Sequence, residues 1–150
     1  LHPANTLSLH DALPISDPIP FCVAVELVTP PLEDLILPGV TRDSVLALAR
    51  AHADPSTPTR FAGLPDKLVI SERHINMAEI LAASQNGSLL EMFGTGTAAI
   101  VTACDGIGYD GKEIPVPCGP SGLGSIAEVV LREIQGRQTG SIESEWSFVV

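Results

Sequence analysis

Apolar and polar positions alternate along the chain in blocks that predict separate elements. FCVAVELV, residues 21–28, is apolar and β-branched enough for a strand, and Thr29-Pro30-Pro31 ends it because proline cannot donate to a ladder. LEDLILPG then predicts a short extended piece and a Pro38-Gly39 turn. VTRDSVLALARAHA changes to helical spacing, with Val45, Leu46, Leu48 and Ala49 on one apolar face and Arg42, Asp43 and Arg50 placed for solvent or ion pairs. Thr41 or a neighbour is the expected cap, and Asp43 suits the positive end of the helix dipole.

The Pro, Gly, Ser and Thr of DPSTPTRFAGLPD, 54–66, predict a surface loop. LVISER, 68–73, reads as a strand, with Glu72 and Arg73 expected in ion pairs at the approach to the next helix. Asn76 is the expected cap of that helix, MAEILAASQ, and Asn86-Gly87 its end. SLLEMFGTGTAAIVTA reads as a strand entering and leaving a small-residue turn. A hairpin comes next, with IGY and KEIPVP as arms around Asp110-Gly111. The loop CGPSGLG leads to a helix, SIAEVVLREIQ, that carries Ile126, Val129, Val130 and Ile134 on one face. SEWSFVV predicts a closing strand with Trp146 as a core anchor.

FGTGTAA, residues 93–99, departs from this pattern. Glycine inside a strand loses packing and conformational entropy, so Gly94 and Gly96 imply a bulge, a tight bend or close approach of a ligand to the backbone. The pattern alone leaves these open. A second backbone feature sits at LPGVTRDS. A turn feeding a helix start leaves the amides of Gly39, Val40 and Thr41 without intrahelical partners, an arrangement that suits an anion. Were the two loops to meet, several amides and the Thr97 hydroxyl would surround one phosphate, each charge-assisted bond contributing ~1.5 to 3 kcal/mol. Neither loop matches a phosphate motif of other folds, since the chain has no GxxxxGK[ST] and GTGTAA lacks the GxGxxG spacing, the following helix and the downstream acidic residue of a dinucleotide site.

Charge narrows the partners. Eight Lys and Arg stand against 18 Asp and Glu, a formal net charge of −10, which disfavours nucleic acid and anionic membrane surfaces. Glu26, Pro30 and Pro31 interrupt the best apolar run well short of a bilayer span. Cys22, Cys104 and Cys118 are odd in number and lack metal-ligand spacing, so they read as small buried hydrophobes or loop thiols in an intracellular chain. His52 and His74 are single histidines without metal-ligand company, expected at the surface or packed. With no metal site indicated and no internal repeat or linker, one α/β unit is expected.

The first sixteen residues, LHPANTLSLHDALPIS, share no pattern with the rest of the chain and resemble neither a signal peptide nor a transit peptide. TLSLHDALPIS resembles the peptide encoded by translated sequencing-adapter DNA. Residues 1–20 are accordingly expected to be an artefactual or disordered tail on a truncated gene fragment, with His2, His10 and Asp11 outside any functional argument. Residues 21–150 would form the domain proper.

LVTPPLEDLILPGVTRDSVLALAR, LVISERHINMAEI, GSLLEMFGTGTAAIV, IGYDGKEIPVP, CGP and GRQTGSIESEWSFVV, in this order, resemble the C-terminal part of a branched-chain amino acid aminotransferase, most of all fungal ones. The resemblance covers nearly everything from about Glu26 to Val150. It implies an α+β fold, a portion of the large C-terminal domain of fold type IV, with a mixed sheet or pseudo-barrel and flanking helices. It also implies pyridoxal 5'-phosphate as cofactor, with Gly39, Val40, Thr41 and Thr97 at its phosphate and Thr97 with Ala98 at the substrate carboxylate. The partners implied are branched-chain amino acids and 2-oxo acids, with a homodimer for the full-length enzyme in the cytoplasm or mitochondrial matrix.

Other family features are absent. The Schiff-base lysine, the glutamate of an EVGTMN-like segment and a phosphate-binding arginine belong upstream of the region covered. Lys67 and Lys112 have neither the motif nor the burial of a catalytic lysine, so no catalytic residue is assigned and the fragment is expected to be inactive alone. Ala99 and Thr102 stand where some animal relatives carry a CxxC, so thiol regulation is not expected there. A D-amino acid aminotransferase, an aminodeoxychorismate lyase and a non-catalytic anion-binding domain stay open as alternatives.

Overall fold

The computed structural model describes residues 6–11, as backbone only, 24–33 and 36–146. Its strands are β1 (Thr6–Asp11), β2 (Val25–Thr29), β3 (Leu68–Glu72), β4 (Leu89–Gly96), β5 (Ile100–Ala103), β6 (Gly106–Tyr109) and β7 (Lys112–Pro115). The helices are α1 (Val40–Ala53), α2 (Met77–Asn86) and α3 (Ser125–Thr139). A five-stranded mixed sheet has the order β3-β2-β1-β4-β5, and β6 and β7 form a separate two-stranded ribbon.

Direction within the sheet decides where the loops emerge. β2 and β3 are parallel, with Thr29 level with Glu72. β1 is antiparallel to both β2 and β4, and its Ser8 pairs with Val28 on one side and Met92 on the other. β2, β3 and β4 therefore run the same way, and their carboxyl ends share one edge of the sheet.

Two clusters hold the layers together. On one side, Val45, Leu46, Leu48 and Ala49 of α1 and Ile126, Ala127, Val129, Val130 and Ile134 of α3 pack with Leu27, Leu68, Phe93 and Val101 of the sheet. These are the helical faces expected from the apolar spacing. A smaller cluster joins Ile80 and Ala83 of α2 to Leu89, Met92 and Val116. The β1–β4 register shifts between Leu9 and His10, and this irregularity lets Leu89 share a cluster with Met92 despite their odd spacing.

Turn chemistry matches the sequence at most joints. Asn76 accepts from the Glu79 amide at 3.0 Å and caps α2, and Gly87 ends it with φ 77°. Asp110 and Gly111, with φ 49° and 69°, make the two-residue turn of the ribbon.

Three expectations are corrected. Thr41 does not cap α1; it lies inside the helix, and the cap is Gly39, which has no side chain to offer. Residues 144–146 form no strand, since Glu145 and Trp146 lie in a turn, and residues 147–150 fall outside the described set. Trp146 is 52% exposed rather than buried in the core, with the Arg137 guanidinium 5.5 Å from its ring centre. Within residues 1–20, Thr6–Asp11 is paired on both sides, a strand between β2 and β4 that satisfies two rows of backbone donors and acceptors. Backbone pairing is largely indifferent to side-chain identity, so this placement does not bear on the adapter resemblance.

The attachment of α3 is unusually tight. Glu91, 3% exposed on β4, accepts from the amides of Ile126 at 2.8 Å and Ala127 at 3.2 Å, closing the positive end of the helix. A Cβ at the cap residue Gly124 would collide with the Glu91 carboxylate. Gly124→Ala should therefore destabilise the chain by about 2 kcal/mol, as overpacking does, read as a lower urea midpoint at unchanged slope. A midpoint equal to the parent's would show that the carboxylate moves aside freely.

Candidate functional site

At the shared carboxyl edge, β2 leads through residues 30–39 into α1, and β4 ends in the turn 97–99. Gly39 opens α1: its carbonyl accepts from Asp43 at 3.0 Å, while its own amide is spent on the Leu37 carbonyl at 2.8 Å. Of the three amides expected to be available, Gly39 thus drops out. Those of Val40 and Thr41 remain and that of Arg42 joins them, since these first-turn amides precede any intrahelical acceptor and no side chain among the described residues caps them. Val40 is 82% exposed, so this end of the helix faces outward.

The turn after β4 answers the question raised by FGTGTAA. Gly96 pairs with Ile100, and Thr97, Ala98 and Ala99 form a three-residue connection. The chain turns back at Ile100, the first residue of β5, which holds φ 61° while the Val101 amide donates to the Ala99 carbonyl at 2.7 Å, a γ-turn that costs a β-branched residue roughly 1 to 3 kcal/mol. The tight bend is real, yet it does not account for the glycines. Neither Gly94 nor Gly96 has a positive φ, and a Cβ on either would meet no atom within 4 Å. Thr97 and Ala98 are exposed, whereas Thr95 is buried and engaged within the protein.

Topology brings the two loops to one edge without placing them in one cavity. β2 and β4 are separated by β1 alone, which sets them about 10 Å apart across the sheet. An open groove of about 680 Å³ borders Ile100, Leu123 and Leu131, and another of about 450 Å³ runs along the β6–β7 ribbon. Neither is lined by residues 39–41 or by Thr97 and Ala98.

Behind the open amides lies a network that the sequence only partly disclosed. Arg42, 3% exposed, turns away from solvent. Its Nε donates to Thr29 Oγ1 at 3.2 Å, and its Nη2 donates to the Pro30 carbonyl at 2.9 Å and to Glu72 Oε2 at 2.8 Å. Arg50 donates to the other oxygen of Glu72. Next along the edge, Arg73 joins Glu26 and Glu79, whose carboxylates, Glu26 foremost, raise its pKa. The ion pairs expected of Glu72 and Arg73 are both present.

The remaining singled-out residues have structural partners. His52 is packed at 4% exposure, accepting from the Phe61 amide at Nδ1 and contacting the Pro65 carbonyl through Nε2. His74 is exposed and pairs with Glu33. Cys104 and Cys118 are free thiols, and Cys22 lies outside the described residues. Lys67 and Lys112 are exposed, in a loop and at the start of β7. Among the described residues no group of three or more His, Cys, Asp or Glu is arranged to hold a metal ion, and no helix is long and apolar enough to cross a membrane. Sequence reasoning missed Glu91, although a lone carboxylate inside the apolar run LLEMF was the available signal.

No protein-family model matches the chain. Curated relatives do: a cytosolic branched-chain-amino-acid aminotransferase of Saccharomyces cerevisiae is 45% identical over 127 residues, covering 83% of this chain and 31% of its own. The enzyme of Monosiga brevicollis is 36% identical over 125 residues, with coverage of 83% and 29%. Among solved structures, the branched-chain amino acid aminotransferase of Escherichia coli superposes with a TM-score of 0.54 at 25% identity, covering 94% of this chain and 35% of that one. The fold is therefore a portion of the fold type IV aminotransferase fold, with the mixed sheet and flanking helices expected of it. Within that class, the chain is a relative of the branched-chain-amino-acid aminotransferases and spans about a third of the length of the curated relatives it matches.

Two buried or half-buried carboxylates titrate in opposite senses. Glu72 lies below the usual 4.5 because Arg42, and then Arg50, donate to its charged form. Its contribution to stability is full above 4.5 and is lost as pH falls through its folded value. Glu91 is pushed above 4.5 by burial, against the pull of the Ile126 and Ala127 amides, with Glu128 adding to the rise. Its contribution is full below 4.5 and is lost as pH rises through its folded value. Urea midpoints followed from about pH 3 to about pH 7 should show a shallower acid-side loss in Glu72→Gln and a smaller decline above 4.5 in Glu91→Gln. Parallel curves for Glu91→Gln and the parent would contradict the burial effect.

Proposed function

We propose that the chain is part of a transaminase that moves the amino group of leucine, isoleucine or valine to 2-oxoglutarate, and that it supplies one wall of the pyridoxal 5'-phosphate site. The observation that carries this reading is the emergence of two anion-competent loops, LPGVTR and GTGTA, at one carboxyl edge of the sheet. Open α/β sheets characteristically bind ligands at such an edge.

The residues present fit the phosphate of the cofactor. Val40, Thr41 and Arg42 offer first-turn amides at a positive helix end, with Gly39 as the cap. Thr97 offers a hydroxyl, and the Ala98 amide is assigned to the substrate carboxylate. Gly94 and Gly96 leave the backbone open to close approach. When bound, pyridoxal phosphate takes up the electron pair released at the substrate α-carbon. The protein groups here bind and orient, and the exposed Lys67 and Lys112 are not assigned proton transfer.

The family relation favours this reading over a D-amino acid aminotransferase, an aminodeoxychorismate lyase or a non-catalytic anion-binding domain. Relatives named cytosolic and mitochondrial both occur, and either compartment suits the proposed enzyme. A homodimer is proposed for the whole enzyme.

In the complete enzyme, Thr97→Val should raise the dissociation constant of pyridoxal phosphate roughly ten- to a hundredfold, the loss of about one charged hydrogen bond. Unchanged affinity would remove Thr97 from the site. The 150-residue chain alone should give no measurable leucine-to-2-oxoglutarate turnover, and robust turnover would place the proton-transfer group within it.

A further inference from the structure

An arginine directly after an anion-binding turn invites the reading that its charge meets the anion. The geometry places this one elsewhere. The Arg42 guanidinium is almost wholly buried, and the acceptors it engages, Thr29 Oγ1, the Pro30 carbonyl and Glu72 Oε2, all belong to the protein. Thr29 ends β2, Glu72 ends β3, and the two are register partners. One planar group in the first turn of α1 is thereby fastened to the carboxyl ends of two adjacent strands. Its fork of donors suits three divergent acceptors in a way that an ammonium group does not.

Resting on the anion site proposed above, we infer that Arg42 is a positioning residue: its ties to Thr29, Pro30 and Glu72 hold the first-turn amides of α1 in place for a phosphate oxyanion, and its side chain does not touch the anion. Glu72 is the other half of the device. Its second oxygen, held by Arg50 from the last turn of the same helix, keeps the carboxylate oriented toward Arg42. The helix is thus fixed at two points along one side, and its open end cannot pivot independently of the sheet edge that also carries the Thr97 turn.

A direct role and a positioning role give opposite signs in one substitution. Were Arg42 a charge partner of the anion, Glu72→Gln would free positive charge and tighten phosphate binding, and Arg42→Lys would preserve it. A positioning residue requires that both substitutions weaken binding. The test is titration of the ¹⁵N-labelled chain with inorganic phosphate, following the amides of Val40 and Thr41, beside hydrogen exchange without phosphate. The expected result is a dissociation constant roughly tenfold higher in Glu72→Gln and in Arg42→Lys. Exchange at the Asp43 amide, bonded to the Gly39 carbonyl, should accelerate while Leu48 and Ala49 keep their protection.

Equal or tighter phosphate binding in Glu72→Gln overturns the positioning role. So does unchanged exchange at Asp43, and so does accelerated exchange through Leu48 and Ala49, which marks general loosening. If phosphate shifts neither amide in the unsubstituted chain, the anion site itself fails and the role falls with it; normal binding there, with unaltered variants, removes the role alone.

Discussion

The buried guanidinium of Arg42 is the constraint on which the functional edge depends. A charged group out of water is tolerated when it is paired and hydrogen-bonded, and here Nε and Nη2 donate to Thr29, Pro30 and Glu72 at the ends of β2 and β3. Each acceptor is on a different stretch of chain from the helix that carries the arginine. Satisfying the guanidinium therefore determines where α1 begins relative to the sheet. The apolar face of α1 supplies most of the burial, but such packing is tolerant of small slides, whereas hydrogen bonds to three fixed acceptors are directional.

The three helix starts show how the protein distributes its polar ends. α2 is closed by its own Asn76, and α3 is closed by Glu91 reaching from β4. α1 begins on Gly39, with no capping side chain among the described residues. Glu91 spends a buried carboxylate on the α3 amides, and this helix is thereby fastened to the strand that ends in the Thr97 turn. The turn itself carries strain at Ile100, a β-branched residue at φ 61°, which the surrounding packing of Val101 and Phe93 holds in place. Arg42 thus ties the start of α1 to the ends of β2 and β3, and Glu91 ties the start of α3 to β4.

The relation to branched-chain-amino-acid aminotransferases gives this architecture its context. A span of about a third of the relatives' length holds a recognisable sheet edge and two helices that buttress it. The exposed Leu37 and Val40 beside the open amides, and the unfilled space over Gly94 and Gly96, belong to that same edge.

Much of the fold was legible in the sequence because local physics decided it. The apolar spacing of α1 and α3, the Asn76 cap, the left-handed Gly87 and the Asp110-Gly111 turn each depend on residues within a few positions of one another. LPGVTR and GTGTA could be singled out for the same reason, since a helix start and a glycine-opened backbone are local features. Tertiary structure alone decided that β2 and β4 run in the same direction and deliver both loops to one edge, that Arg42 faces inward, that Glu91 caps a helix 35 residues away, and that Trp146 stays half exposed. The physical reason is range: periodicity and turn preference report energies between near neighbours, while strand direction and the acceptor of a buried charge depend on groups far apart in the chain that meet only after the sheet has formed.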